Sequence, residues 1–338
     1  MGVVKFSDGL YDRLPPVKGR MEANADLSKS TWFRVGGPAE IMFWPADLSD
    51  LMAFLQNVPE DVPVTIIGIG SNLMVRDGGV PGVVIRLSEV FTKISVDGLE
   101  ITAGGGVSNL RLANAARECG ITGFEFLCGI PGAVGGAIRM NAGAYGSETR
   151  DIVQRVRALD GKGNLIELSV EDMKYSYRHS DTPEDLIFID GCFKGAPGVV
   201  ADIADRMKEI RAEREQTQPV KTPTGGSTFT NPPGAKAWEL IDQAGCRGLM
   251  RGGAVVSEKH CNFLINIGSA TAADLEGLGE EVRRRVFEKS GVKLEWEIRR
   301  IGVTIDPPVK SMATEVTSWR VMLLCYWAVG PPSGKCLW

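Results

Sequence analysis

Apolar positions recur at helical spacing in two stretches of the chain. In "ADLSDLMAFLQNV", Leu48, Leu51, Met52 and Leu55 fall on one face behind Asp47, whose side chain can cap the first turn. In "TAADLEGLGEEVRRRVFEKSG", Thr271 takes the cap position, Leu275, Leu278, Val282 and Val286 form the stripe, and Gly291 closes the helix. Between them the pattern changes to short β-branched runs bounded by glycine: "PVTIIGIG", "GVVIRLS", "LEITAGGG", "QRVRALDGKGNLIELSV" and "LIFIDGCF". The fourth run holds Asp160-Gly161 between two alternating segments and predicts a hairpin. In "VKLEWEIRRIG", Val292, Leu294, Trp296 and Ile298 alternate with Lys293, Glu295, Glu297 and Arg299, giving one apolar and one charged face. Strands mixed with few helices predict α+β lobes, since a doubly wound sheet would show regular β-α-β alternation. The charged helix in "RMKEIRAEREQTQPVKTPTGG" runs into a Pro, Thr and Gly linker, and a domain boundary is placed there.

Composition narrows the ligand classes. The 338 residues are 43% hydrophobic and 24% charged, as in a soluble globular protein, and a net charge of -4 gives no electrostatic case for nucleic acid. Seven cysteines, odd in number, widely spread and never in C-x-x-C spacing, argue against a disulfide framework or a zinc site and fit a reducing cytoplasm. The first residues lack a signal peptide's apolar core, and Phe6 stands where a myristoylation signal needs Ser or Thr; an untethered leader is expected. "WRVMLLCYWAV" (319–329) is apolar but shorter than the roughly 20 residues of a membrane-spanning helix. It is expected to dock on the body or be poorly ordered.

Three glycine-rich crooks carry the candidate chemistry. "GIGSN" fails the dinucleotide fingerprint G-x-G-x-x-G because Leu73 stands at the third glycine, and a turn plus strand follows instead of a helix. "ITAGGGVSNLRLANAARECG" has the layout of strand, Gly104 to Gly106 and a helix capped by Ser108, but Asn109 replaces the third glycine; a tight turn into a helix explains it as well as phosphate binding. "CGIPGAVGGAIRMNAGAYG" adds six glycines, Pro131 and Asn141. Bare backbone of this kind lets successive N–H groups converge on an anion and lets a flat ring lie against the chain. Three such crooks in an acidic chain point to a ligand that is part phosphate and part planar, as a dinucleotide is.

Taken together, "TWFRVGGPAE", "GIGSNLMVRDGG", "EFLCGIPGAVGGAIRMNAGAYG", "YSYRHS", "GGSTFTNP", "GLMRGGAVVSEKHCNFLIN" and "LEWEIRRIG" resemble, in order and spacing, the UDP-N-acetylenolpyruvoylglucosamine reductase family, from about Asn24 to Gly302. The short segment after Ser180 is similar to the compact second type of that family. The resemblance implies an α+β fold: a two-lobed FAD-binding domain of the vanillyl-alcohol oxidase (PCMH) type, then an α+β substrate-binding domain. The chain would divide into a leader (1–21), lobe 1 (22–88), lobe 2 (89–200), a substrate domain (201–303, with a connecting helix 201–215) and a tail (304–338). FAD would be held non-covalently, with NADPH as co-substrate and UDP-N-acetylglucosamine enolpyruvate as substrate, in a monomer with no metal. Gly68, Gly70, Ser71, Asn72 and Leu73 would line the FAD pyrophosphate. Gly129, Ile130, Pro131, Gly132, Gly135, Gly136, Asn141, Ala142 and Gly143 would surround the rest, with Arg34, Gly36 and Gly37 on the entering strand.

The resemblance also implies roles for three side chains. Arg178 would bind the substrate carboxylate and offset charge as it develops, Ser227 would give a proton to C2, and Glu297 would carry a proton or share one with the substrate carboxyl. Glu297 and Glu295 neighbour each other on the charged face, and like charges at that spacing raise a pKa in a dry site. Tyr177, Arg214, Asn231, Lys236, Lys259, His260 and Asn262 would contact substrate. Thr230 stands where many members carry Lys, which removes a cation there. A flavin oxidase of the same fold would share the crooks without needing the Arg178, Ser227 and Glu297 set, and a sugar-nucleotide-binding protein without activity would need no chemistry at all.

Overall fold

The computed structural model describes residues 6, 8–87 and 89–305; the apolar stretch 319–329 and the tail from 306 lie outside them. The first lobe is a four-stranded sheet in the order Arg20–Asp26, Pro38–Trp44, Val80–Arg86, Val64–Ile67. Its first pair is antiparallel and the other two are parallel. The helix Leu48–Asn57 covers one face, and Asp47 accepts a 2.8 Å bond from the Asp50 N–H as its cap. Its fully buried face is Leu51, Phe54 and Leu55, so the stripe is centred on Phe54, while Leu48 and Met52 are only partly covered. Leu10, Leu14 and Val17 of the leader pack into the same core.

The second lobe is a five-stranded antiparallel sheet in the order Leu165–Ser169, Val153–Leu159, Ile187–Lys194, Glu100–Gly104, Ile94–Asp97. The predicted hairpin closes through a loop in which Asp160 Oδ1 accepts from the Lys162 and Asn164 N–H groups. Ser108 caps the helix Asn109–Glu118. The helix Val200–Thr217, grouped with the substrate domain on sequence, places Ile203, Met207 and Ile210 in this lobe's core.

The third unit packs a small sheet of Met250–Arg251, Ala254–Val256 and Leu264–Asn266 against the helices Ala237–Gln243 and Ala272–Ser290. The longer helix has the predicted anatomy. Thr271 and Asp274 form a capping box, Leu275, Leu278, Val282 and Val286 are buried, and Gly291 ends it at φ 72°. "VKLEWEIRRIG" keeps its alternation, with Leu294 and Ile298 buried, but forms a ladder only at Arg299–Ile301, parallel to Leu73–Val75 of the first lobe. Upstream, Trp296 makes a single bridge to Phe229, because the segment is crossing from one partner to another.

That crossing belongs to a wider seam. Arg76 forks onto Glu276 with two 2.9 Å bonds, and the Asp77 carboxylate accepts from the Ala272 and Ala273 N–H groups, both at 2.9 Å. Asn266 Nδ2 donates to the Phe33 carbonyl at 2.8 Å. The third unit is thereby fixed to the first lobe, and Glu297 sits at the join.

Candidate active site

The strand Val64–Ile67 ends just before Gly68, and the chain then turns through Gly70 at φ +71°. A Cβ on Gly70 would stand 2.0 Å from the Ser30 carbonyl, so only glycine fits. Ser71 Oγ donates to the Pro131 carbonyl at 2.9 Å, Asn109 Nδ2 to the Ile130 carbonyl at 3.2 Å, and the Asn109 N–H to the Gly132 carbonyl at 3.0 Å. Three successive carbonyls are thus tied to the protein side, which joins all three crooks into one seam. No acceptor among the described residues takes the N–H groups of Ile69, Gly70 and Ser71. A Cβ on Gly136 would meet nothing within 4 Å, and one on Gly68 only Ala133 at 3.9 Å. Unspent donors beside bare backbone suit a diphosphate and a planar ring, so the first and third crooks fit FAD.

From the third crook the chain reaches Asn141, left-handed at φ 43°, and the short hairpin of Gly143–Ala144 with Ser147–Glu148. Opposite it, Ser176 and His179 exchange main-chain bonds of 3.0 and 3.2 Å, closing a tight turn with Tyr177 and Arg178 at its tip. Arg178 has φ +57°, an αL geometry that costs a side-chain-bearing residue energy. Its Nη2 donates to the Gly143 carbonyl at 2.5 Å, and its Nε lies 3.4 Å from Glu297 Oε1, with both side chains about one-fifth exposed (21% and 19%).

Glu297 is held by its backbone as well. Its N–H donates to the Thr228 carbonyl at 2.9 Å, and its carbonyl accepts from Asn72 Nδ2 at 3.2 Å. Ser227 bridges to Phe263 one residue before Thr228, so the hydroxyl-bearing segment runs beside the carboxylate-bearing one. Burial pushes the Glu297 carboxyl up to about 7, against the opposing pull of Arg178. The like-charge explanation offered by the sequence is therefore corrected. Glu295 is 64% exposed, flanked by Lys293 at 3.7 Å and Arg283 at 3.9 Å, and takes no part in the shift. A cleft of about 350 Å³ opens here, lined by Arg178, Glu297, Met140, Trp296, Ile298, Arg76, Arg299 and Arg300.

The other sequence candidates divide by what already surrounds them. Ile130, Pro131, Gly132, Gly135 and Gly136 belong to the third crook, with the Gly135 N–H spent on the Gly105 carbonyl at 2.9 Å. Asn72 and Leu73 join the first crook to the Arg299–Ile301 ladder. Ala142 accepts twice from Thr149, at 2.9 Å each. Arg34 is exposed at φ +57°.

Packing within the protein already accounts for several of the other candidates. Gly36 and Gly37 are glycine because Val75 and the chain from Asp77 to Gly79 press on them: added Cβ atoms would stand 2.6 Å from Val75 Cβ and 2.3 Å from the Asp77 carbonyl. Gly129 is buried beneath Tyr145 and Ile210. The Ser71 hydroxyl donor is spent on Pro131, leaving its main chain for a ligand. Asn141 is 0% exposed with its amide fully bonded, and Asn262 brackets Phe229 by accepting from its N–H at 3.0 Å and donating to its carbonyl at 2.8 Å. Neither side chain is open to a ligand.

Tyr177 is exposed, and its hydroxyl accepts from Asn231 Nδ2 at 3.5 Å. Lys259 Nζ donates to the Glu215 carbonyl, linking the third unit to the helix Val200–Thr217. Arg214, on that helix, donates to Gln218 at 3.2 Å, and burial lowers its pKa. Lys236 is exposed beside Glu239, and His260 stacks edge-on against Phe263 with burial lowering its pKa. Sequence reasoning missed Arg299 as a cleft residue and Asn109 as the clamp on the third crook. The first was within reach, because Arg299 shares the charged face of Glu297; the second depends on a contact between distant segments.

Residues 39–169 match a family described as FAD binding domain, and residues 218–301 one described as UDP-N-acetylenolpyruvoylglucosamine reductase, C-terminal domain. A UDP-N-acetylenolpyruvoylglucosamine reductase of Azorhizobium caulinodans is 59% identical over 290 residues, 86% of this chain and 94% of that protein. A protein of the same name from Parvibaculum lavamentivorans is 58% identical over 303 residues, covering 90% and 98%. The crystal structure of UDP-N-acetylenolpyruvylglucosamine reductase (MurB) from Thermus caldophilus superposes with a TM-score of 0.74 at 33% identity, covering 85% of this chain and all (100%) of that one.

Proposed function

This chain belongs to the UDP-N-acetylenolpyruvoylglucosamine reductase family, and from that premise we propose that Arg178, Ser227 and Glu297 carry its second half-reaction. The protein is an FAD-dependent NADPH oxidoreductase that reduces the enolpyruvyl group of UDP-N-acetylglucosamine enolpyruvate to the lactyl ether, giving UDP-N-acetylmuramate for peptidoglycan synthesis. Bound FAD would supply the hydride chemistry that links NADPH to C3 of the enol ether. The crooks at 68–73 and 130–136 are the segments we assign to holding it, without a covalent bond.

Arg178 binds the substrate carboxylate and offsets the charge that develops at C2. A permanently charged, planar guanidinium suits this, and its bond to Gly143 holds it in one direction. Glu297, with its carboxyl pushed up to about 7, is protonated in about half of the molecules at neutral pH, and that proton is shared with the substrate carboxyl beside Arg178. Ser227 delivers the proton to C2 from the adjoining segment. Tyr177, Arg214, Asn231, Lys236, Lys259 and His260 form the approach for the sugar nucleotide, where Arg214 and the lysines offer cations to the diphosphate. The domain division at 22–88, 89–200 and 201–303, a monomer, and a cytoplasmic site suited to widely spaced free thiols complete the reading.

The observation that carries it is the 3.4 Å approach of Arg178 to a largely buried Glu297 at the end of the cofactor seam. The test is anaerobic: purified yellow enzyme is bleached with NADPH, then mixed with the enolpyruvyl substrate. Return of the oxidised flavin spectrum with formation of the lactyl ether is the expected result. Reoxidation by oxygen alone, or a colourless protein that binds no flavin, defeats it in favour of an oxidase or an inactive binding protein.

A further inference from the structure

Asn141 occupies an unusual place: it ends the helix Val134–Met140 in the left-handed conformation, where glycine is the usual residue, and none of its surface is exposed (0%). Its side chain does nothing for that helix. Nδ2 donates to Glu148 Oε2 at 2.9 Å and to the Ser176 carbonyl at 3.0 Å, while Oδ1 accepts from the Arg150 N–H at 3.0 Å. Ser176 is the residue whose main-chain exchange with His179 closes the turn carrying Arg178. Glu148 is paired in the hairpin directly opposite Gly143, whose carbonyl receives Arg178 Nη2. An added Cβ on Gly143 would lie 2.7 Å from Glu148 Cβ and 3.0 Å from Arg178 Nη1, so these groups have no slack. One buried amide therefore holds both supports of a single guanidinium, the turn that carries it and the hairpin that receives it.

We propose that Asn141, acting with Glu148, is a positioning residue that sets the direction of the Arg178 guanidinium for the enolpyruvyl half-reaction. This rests on the assignment of Arg178 to the substrate carboxylate. Without the amide, the Tyr177–Arg178 turn and the 143–148 hairpin shift independently, and displacement of a reacting or orienting group by about 1 Å costs on the order of 100-fold in rate.

The test compares Asn141→Gly, Arg178→Ala and the double variant as FAD-loaded enzymes. Glycine accepts the left-handed backbone without strain, so the substitution removes the side chain and its three hydrogen bonds while leaving the turn geometry allowed. Anaerobic reoxidation of NADPH-reduced enzyme by the enolpyruvyl substrate gives the rate, and perturbation of the oxidised flavin spectrum gives substrate Kd. N141G is expected to slow reoxidation about 10- to 100-fold. In the Arg178→Ala background it should cause no further loss, because a residue acting only through Arg178 has nothing left to position. A normal rate for N141G beside a slow Arg178→Ala overturns the inference and leaves the role of Arg178 standing. A normal rate for Arg178→Ala overturns that role itself. Additive losses also overturn the inference, since they place Asn141 elsewhere. If N141G does not fold, Glu148 decides: E148A slow with E148Q restored supports the proposal, and equal rates for both at wild-type level refute it.

Discussion

Replacing Glu297 with Gln tests the site through both stability and rate. Burial pushes the carboxyl from 4.5 up to about 7 in the folded protein, against the opposing pull of Arg178. Because the folded value lies above the unfolded one, the folded state binds the proton more tightly. The associated stabilisation is fully present below pH 4.5 and is lost as pH rises through 7. At 1.36 kcal/mol per pH unit the whole effect is about 3 kcal/mol, most of it lost between about pH 5 and pH 8. Urea unfolding of the holoenzyme at fixed FAD concentration should show wild type losing about 2–3 kcal/mol relative to E297Q over that interval. In rapid-mixing experiments, reoxidation of reduced wild-type enzyme should fall about tenfold per pH unit above the apparent pKa, whereas E297Q should be slower and lack that step. Glu295→Gln should change neither measurement, since its carboxyl is 64% exposed between Lys293 and Arg283. Parallel pH curves for wild type and E297Q would refute the reasoning, as would a loss of the pH step in the Glu295 variant.

Three further outcomes are expected. Ser227→Ala should slow flavin reoxidation by the enolpyruvyl substrate about 100- to 10,000-fold, far beyond any change in bleaching by NADPH; equal effects on both half-reactions would remove Ser227 from proton delivery. Gly70→Ala places a methyl 2.0 Å from the Ser30 carbonyl at φ +71°, so flavin content and thermal midpoint should both drop, with at least about 2 kcal/mol of destabilisation; full flavin loading at an unchanged midpoint would contradict the steric account. Asp77→Ala removes two 2.9 Å acceptors from the first turn of the helix Ala272–Ser290 and should cost about 1–2 kcal/mol in urea unfolding, against a prediction of no change if the cap is idle.

Local elements and the available chemistry are legible along the chain. Asp47, Thr271 and Gly291 mark helix ends because capping depends on a few adjacent residues, and each does so in the structure. The β-branched runs at 64–67, 80–86, 100–104 and 187–194 are strands for the same local reason. The alternation in "VKLEWEIRRIG" foretold which side Glu297 faces.

Contacts between distant segments settle instead which glycines have open space beside them and which side chains are already spent. Gly136 is open while Gly36, Gly37 and Gly129 are filled by neighbours distant in sequence, although all four look alike in a string of letters. Asn141 and Asn262 carry free amides on paper and have none to spare in space. Glu295 and Glu297 share one face and differ by burial: Glu295 lies 64% exposed between Lys293 and Arg283, while Arg178 arrives beside Glu297 from elsewhere in the chain. Backbone preference is a property of neighbours along the chain; desolvation and hydrogen-bond satisfaction are properties of neighbours across it.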